Sequence, residues 1–283
     1  MTDHRLDAAG KVFEVLGIEG PSEIVRDGLS LLVRRSEVLL RVRDRSAEPV
    51  AAREVEVARA LQESGVSATR LVDESLLVEG SCVITAWRWY DVVRPSTPTD
   101  CAVLARSLRE RTRDHFGVSR FDPLGAARNA VAHIEIGDAQ ADFVRLRAFE
   151  LAERWAAIAD TDPAGTVIVH GDLHGDNVLV TSEGPILADL ELAGVGPASF
   201  DTAPAAVAVK RYGADQGVIE QFVEAQQFDP RSWDGFATCV EAYELWVTAW
   251  AVGVRERSGE LRDEAQTRVR CLRDGSCEPW KLL

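Results

Sequence analysis

Residues 167–180 read Val167-Ile168-Val169-His170-Gly171-Asp172-Leu173-His174-Gly175-Asp176-Asn177-Val178-Leu179-Val180, and 186–191 read Ile186-Leu187-Ala188-Asp189-Leu190-Glu191. Residues 178–180 and 186–188 are apolar runs of strand type, and Thr181-Ser182-Glu183-Gly184-Pro185 between them is turn chemistry. A hairpin with 180 opposite 186 and 178 opposite 188 sets Asn177 and Asp189 face to face at its open end. There an amide oxygen and a carboxylate can share a hard cation such as Mg²⁺. Asp172, a few residues upstream, can orient and deprotonate an acceptor hydroxyl. Metal ligands for nucleotide phosphates plus a carboxylate beside the acceptor are two requirements of phosphoryl transfer; the third, exclusion of water, is not legible in a sequence.

The eight residues from His170 to Asn177 match the catalytic-loop pattern H-R-D-L-x-x-x-N at every specified position except the arginine. The chain contains only two asparagines, so a chance hit at that position is rare. The loop resembles the H-G-D-L-H-x-x-N of the aminoglycoside phosphotransferase family, small-molecule kinases with a protein-kinase-like fold. Asp189-Leu190-Glu191 resembles that family's D-x-E, and Gly196-Pro197-Ala198-Ser199-Phe200-Asp201 its Gly-Pro-x-x-x-Asp run. The resemblance implies an α+β fold with a small N-terminal lobe, residues 1–90, holding the nucleotide. A larger helical lobe, 91–283, would hold the catalytic loop and the acceptor. It further implies Asp172 as catalytic base, Asn177 and Asp189 as Mg²⁺ ligands, and His170 and Asp201 as supports of the loop. ATP or GTP would be the co-substrate.

Two other chemistries compete for the same residues. Gly171-Asp172-Leu173-His174-Gly175 also fits the opening of two-metal phosphoesterases, but these need further histidines downstream, and the histidines stop at 174 (4, 115, 133, 170 and 174). The alternation His170, Asp172, His174, Asp176 could line one strand face as a single metal cluster; the interspersed glycines favour a loop.

Composition bounds the rest. A chain of 283 residues, 46% hydrophobic, can bury a full core. The first ten residues are polar and charged, unlike a signal peptide, and no apolar run approaches the ~20 residues of a bilayer crossing; residues 245–254 come closest. A soluble, cytoplasmic protein is expected, a monomer or homodimer without membrane partner. Five scattered cysteines (82, 101, 239, 271, 277) suit reduced thiols. A formal net charge of −14 opposes a nucleic-acid partner. Residues 1–90 carry 15 acidic against 12 basic residues and 91–283 carry 31 against 20, so the acidic excess sits with the catalytic loop. Such a field attracts a cationic acceptor, although it also serves plain solubility.

The N-terminal third has the pattern of one helix (6–16), strands at 23–26, 29–33, 38–43, 76–78 and 82–87, and a helix at 51–64 closed by Gly65. The strand at 38–43 should carry the phosphate-binding lysine of a kinase. All three lysines (11, 210, 281) lie elsewhere. Alternation places Leu39, Arg41 and Arg43 on one face, and by analogy with V-A-I-K, Arg41 takes the lysine's place, with Glu54 as its partner. Arg43 and Glu56 stand as alternatives. The loss of the lysine, and a turn with a single glycine (Asp27-Gly28-Leu29), also motivate a rival reading: a nucleotide-binding module without catalysis. Ala86, Trp87 and Arg88 fall where the family's hinge offers backbone groups to a nucleobase, while Trp87 and Trp89 equally suit core packing.

Residues 100–112, 138–158, 201–211, 217–227 and 232–257 read as helices, with Asp201 able to cap its own. For the acceptor, Asp176 and Glu191 flank the catalytic carboxylates, and Glu241 and Glu244 lie three apart on one helix, as the pair Asp138 and Asp142 shares another. The acceptor is expected to be an aminoglycoside-like antibiotic or another amine-bearing small molecule. A neutral sugar or other small hydroxyl compound is the alternative.

Overall fold

The computed structural model describes residues 2–113, 117–276 and 278–282; His115 and Cys277 lie outside the described residues. Helix α1 (Thr2–Val15) buries Ala8, Ala9, Val12 and Phe13 against a five-stranded antiparallel sheet. The sheet comprises β1 (Glu23–Asp27), β2 (Leu31–Arg35), β3 (Val38–Asp44), β4 (Leu71–Glu79) and β5 (Cys82–Arg88), in the order β1-β2-β3-β5-β4. Alternation along β3 sorts its side chains: Val38, Leu40 and Val42 join the α1 core, and Arg41 and Arg43 point to the other face. On that face lies α2 (Glu48–Glu63), with Pro49 in its first turn. Gly65 ends it at φ +68°, where Val66 N–H reaches Leu61 C=O at 2.9 Å, a left-handed stop that glycine adopts without a Cβ clash.

The rest of the chain is mainly helical. It runs through α3 (Pro98–Arg111), α4 (Pro123–Ala130), α5 (Ala139–Ile158), β6 (Thr166–Val169), β7 (Val178–Thr181), β8 (Gly184–Leu187), β9 (Gly194–Pro197), α6 (Ala203–Arg211), α7 (Gly217–Gln226), α8 (Phe236–Val254) and α9 (Gly259–Asp274). Four of these have no counterpart in the sequence pattern, β6 among them. Helix α4 is short, β9 is a Gly-Val-Gly-Pro segment, and α9 is so charged that only Ala265, Val269 and Cys271 mark an apolar face. The α+β expectation holds, with a sheet at the N-terminal end and helices beyond.

Two apolar clusters locate the catalytic loop. One joins α2 and α3 to Ile168, Leu173, Val178, Val180, Leu187 and Leu190, so the loop and the strands that flank it are packed against both helices. The other gathers α4, α5, α6, α8 and α9 around Phe200, whose ring meets Phe121 edge-on at 4.5 Å and Tyr243 at 6.3 Å. Each fully buried leucine or phenylalanine contributes about 1.5–3 kcal/mol. Cys82, Cys101, Cys239 and Cys271 are buried free thiols, and burial pushes the Cys101 thiol up to about 12. Among the described residues no helix is long and apolar enough to cross a membrane.

Candidate active site

The β7–β8 hairpin forms with a register one residue tighter than the sequence pattern suggests. Val178 pairs with Leu187 and Thr181 with Gly184, leaving a two-residue turn at Ser182-Glu183. Gly184, at φ +119°, makes the tighter turn accessible. Past the open end, Ala188 N–H donates to Asn177 C=O at 2.9 Å, and Asp189 follows in a left-handed conformation (φ +58°). A non-glycine residue held there is strained, and such strain gathers at functional sites. The hairpin is stitched to its neighbours by Thr69 N–H to Leu187 C=O (2.8 Å), Leu187 N–H to Ser67 C=O (3.0 Å) and Val93 N–H to Val180 C=O (2.8 Å).

The loop between β6 and β7 is held from beneath. Asp201, 2% exposed, accepts the backbone N–H groups of His170 and Gly171, both at 2.9 Å. It therefore does not cap α6, which begins without any side-chain cap. Its burial pushes its carboxyl pKa up, against the pull of those two donors and of His170. His170 Nδ1 accepts from Asp172 N–H at 3.2 Å, so Nε2 carries the proton and donates to Ala188 C=O at 2.8 Å, tying the loop to the strand that leads into Asp189. With both nitrogens engaged, His170 is no metal ligand, and the reading of a four-residue metal cluster falls. Gly171 stands where the kinase pattern has arginine because no side chain fits. Its φ is +82°, and a Cβ would lie 2.5 Å from the Phe121 ring.

Asp172 and Asn177 meet, and Asp189 directly follows the residue whose N–H is bonded to Asn177. Asn177 Nδ2 donates to Asp172 C=O at 2.9 Å and lies 3.4 Å from Asp172 Oδ2, which commits its nitrogen and leaves its oxygen free as a metal ligand. His174 Nε2 is 3.6 Å from the same Oδ2; burial pulls this imidazole's pKa down, but Asp172, Asp176 and Asp189 together raise it. The opposite oxygen, Oδ1 of Asp172, accepts from Tyr243 Oη at 2.7 Å. Sequence reasoning missed Tyr243. The available signal was general: a tyrosine on a largely apolar helix needs a partner for its hydroxyl once buried.

Arg41 reaches across from β3. Its Nη1 donates to Glu54 Oε1 at 2.8 Å and to Asp189 Oδ1 at 2.7 Å, and its Nη2 to Glu191 Oε2 at 3.0 Å. Burial works against its charge, yet these three carboxylates hold its pKa above the ordinary arginine value. Arg43 shares the partners: its Nη2 donates to Glu54 Oε2 at 2.8 Å and to Glu191 Oε2 at 3.3 Å. Both arginines proposed for β3 thus meet Glu54, whereas Glu56 accepts from Ser119 N–H at 2.6 Å and takes no part. Arg41 keeps the Asp189 pKa low despite burial; burial and the neighbouring Asp189 raise that of Glu191.

Several expected acceptor and hinge residues lie elsewhere. Glu191 belongs to the arginine network beside Asp189, bound by Arg41 and Arg43 of β3. Glu241 is bound by Arg147 (2.8 Å) and Arg154 (2.9 Å) of α5, while Glu244 is buried against Arg211 (2.5 Å) and Lys210 (3.0 Å) of α6. Although only about 60° apart around α8, the two glutamates meet different helices, Glu241 on the α5 side and Glu244 on the α6 side, and both charges are spent within the fold. Asp138 caps α5 and pairs with Arg255, and Asp142 pairs with Arg145. Asp176 alone of the acceptor set stays open, its side chain 97% exposed. Ala86, Trp87 and Arg88 sit inside β5, with a strand on either side. Ala86 pairs with Leu40 and Asp73, Trp87 with Leu39 and Leu71, and Arg88 N–H with Arg70 C=O. The backbone of Ala86 and Trp87 is therefore enclosed on both edges, Arg88 at the strand's end engages its N–H, and Trp87 is buried with its Nε1 on Thr85 Oγ1 at 2.8 Å. Past the end of β5 at Arg88, Trp89 N–H is still taken, by Glu37 C=O at 2.8 Å.

This architecture, with a strand arginine and helix glutamate meeting the segment that follows the Asp172 loop, is that of a protein-kinase-like phosphotransferase. Residues 28–236 match the phosphotransferase enzyme family (APH), and the chain belongs to it. No curated protein is matched by the sequence. Among solved structures, the chain is similar to choline kinase LicA from Streptococcus pneumoniae (18% identity, 96% of this chain and 99% of that one, TM-score 0.68). It is also similar to aminoglycoside-3'-phosphotransferase of type VIII (18% identity, 86% and 99%, TM-score 0.64) and to amicoumacin kinase hAmiN, solved with AMP-PNP, Ca²⁺ and Ami (13% identity, 99% and 98%, TM-score 0.68). At these identities the likeness shows the fold.

Proposed function

We propose that this phosphotransferase moves the γ-phosphoryl group of ATP or GTP to a hydroxyl of a small molecule. The observation that carries the reading is the 2.7 Å contact from Arg41 to Asp189, because it brings the phosphate-binding arginine and a metal carboxylate to the loop that bears Asp172. Asp172 takes the acceptor's hydroxyl proton, the acceptor oxygen bonds to the γ-phosphorus, and the bond to the β–γ bridging oxygen breaks to release the nucleoside diphosphate. Asn177 through its free oxygen and Asp189 would hold Mg²⁺, which supplies charge neutralisation for the phosphates; an all-oxygen pair completed by the nucleotide suits that ion. Arg41, braced by Glu54, holds phosphate oxygens, and His170 and Asp201 keep the loop in shape. Residues 1–90 bind the nucleotide, whose base meets the backbone beyond Trp89, and 91–283 bind the acceptor. An arginine–glutamate pair in the lysine's place answers the first ground for a non-catalytic module, the lost lysine.

For the acceptor, Asp176 and the acidic excess of 91–283 favour an amine-bearing molecule of the aminoglycoside or amino-alcohol kind. The neutralisation of Glu241 and Glu244 favours the second reading, a neutral hydroxyl compound. The test is Mg²⁺-dependent release of ADP or GDP across aminoglycosides, other cationic antibiotics, amino alcohols and sugars, with Asp172→Ala alongside. Turnover with one class, abolished in the variant, is the expected outcome; failure to bind either nucleotide would overturn the proposal.

A further inference from the structure

Asp172 has two oxygens, and the structure treats them differently. Oδ1 accepts from Tyr243 Oη at 2.7 Å, whereas Oδ2 has only the looser neighbours Asn177 Nδ2 at 3.4 Å and His174 Nε2 at 3.6 Å. Tyr243 sits on α8 with 4% of its surface exposed, and its ring packs edge-on against Phe200 in the same cluster as Trp155 and Val169. A ring wedged this way cannot swing aside to make room for an acceptor, so its hydroxyl is a fixed part of the wall behind Asp172. Among the described residues Asp172 is the only hydrogen-bond acceptor for that hydroxyl.

We infer that Tyr243 is a positioning residue for phosphoryl transfer: it fixes the rotation of the Asp172 carboxylate by occupying Oδ1, leaving Oδ2 as the oxygen that receives the acceptor's proton. The inference rests on the reading of Asp172 as the base. Phe200 and Asp201, adjacent in the chain, then brace the same catalytic residue twice. Asp201 holds the backbone of the loop through His170 and Gly171, and Phe200 holds the tyrosine that holds the side chain. It follows that the acceptor hydroxyl approaches from the His174 and Asn177 side of Asp172 and not from α8.

Tyr243→Phe removes one hydroxyl and keeps the packing. The probe is hydrolysis of Mg·ATP or Mg·GTP with water as acceptor, which needs no identified substrate, measured for wild type, Tyr243→Phe, Asp172→Asn and the double variant. A misaligned base loses part of the ~10²–10⁴-fold that general-base catalysis supplies, so kcat of Tyr243→Phe should fall about tenfold. The nucleotide KM and the melting temperature should stay as in wild type. In the Asp172→Asn background the same substitution should change the rate by less than about twofold, because residues acting through one another are not additive. An unchanged kcat in Tyr243→Phe, or an equal fall in both backgrounds, overturns the inference. Wild-type turnover in Asp172→Asn would instead overturn the base assignment itself, so the two failures are told apart.

Discussion

Arg41 is the residue by which this chain departs furthest from the lysine pattern of kinases, and removing it separates structural from functional weight. In Arg41→Ala, Glu54 and Glu191 keep Arg43, but Asp189 loses its arginine and Ser30 Oγ its 3.3 Å donor. Stripping one partner from a buried ion pair costs about 3–5 kcal/mol when the other is left bare. Because Arg43 still serves the 2%-exposed Glu54 and the Asp189 side chain is 35% exposed, about 2 kcal/mol is the reasonable figure here. At ~2–4 °C per kcal/mol for a chain of this size, the melting temperature should fall by about 4–8 °C. Turnover should fall further, about 10²–10³-fold in kcat, as for loss of one donor aimed at developing charge. Arg41→Lys keeps the charge and can bridge Glu54 and Asp189 with its single nitrogen, but it forgoes Glu191 and Ser30, so it should recover most of the stability and only part of the rate. Mg²⁺-dependent diphosphate release, read beside calorimetric binding of a non-hydrolysable nucleotide at a temperature where both variants are folded, decides the matter. An Arg41→Ala protein within about threefold of wild type in turnover, less than 1 kcal/mol of barrier, would refute the assignment of Arg41 to the phosphates.

Three further outcomes are expected. Gly171→Ala should cost about 1–3 kcal/mol from overpacking on Phe121, in addition to its left-handed strain, and should abolish turnover while circular dichroism still shows a folded protein. Asp100→Ala tests a pH-dependent contribution: the Arg94 guanidinium and Thr97 hold the Asp100 carboxyl at about 2, so its stabilisation is present above the ordinary carboxylate range and is lost as pH falls through 4 towards 2. Denaturant titrations should therefore show the variant about 2 kcal/mol less stable at pH 7 and nearly equal to wild type at pH 2. Glu241→Gln should leave the KM for any acceptor unchanged and lower stability by about 1 kcal/mol or less, since its charge is bound to Arg147 and Arg154 near the surface; a large rise in KM would restore it to the acceptor site.

The sequence by itself determined the elements whose causes are local. The run from His170 to Asn177 closes on itself through contacts two to five residues long, such as Asp172 N–H to His170 and Asn177 to Asp172, so residue type and spacing suffice to reveal it. Arg41 and Glu54 were legible for a similar reason: strand alternation and helix position leave few ways for a cation and an anion thirteen residues apart to face each other. The tertiary structure alone decided where side chains from distant elements meet. Tyr243 reaches Asp172 across 71 residues of chain, Glu241 and Glu244 are claimed by α5 and α6, and residues 86 and 87 are enclosed by strands that pair on both edges. The hairpin slipped by one residue because turn length, which several sequences of the same polarity allow, sets its register. Periodicity reports which face of a helix is apolar; how that helix is rotated against its neighbours, and hence which polar group it delivers to the catalytic carboxylate, is settled only when the whole core packs.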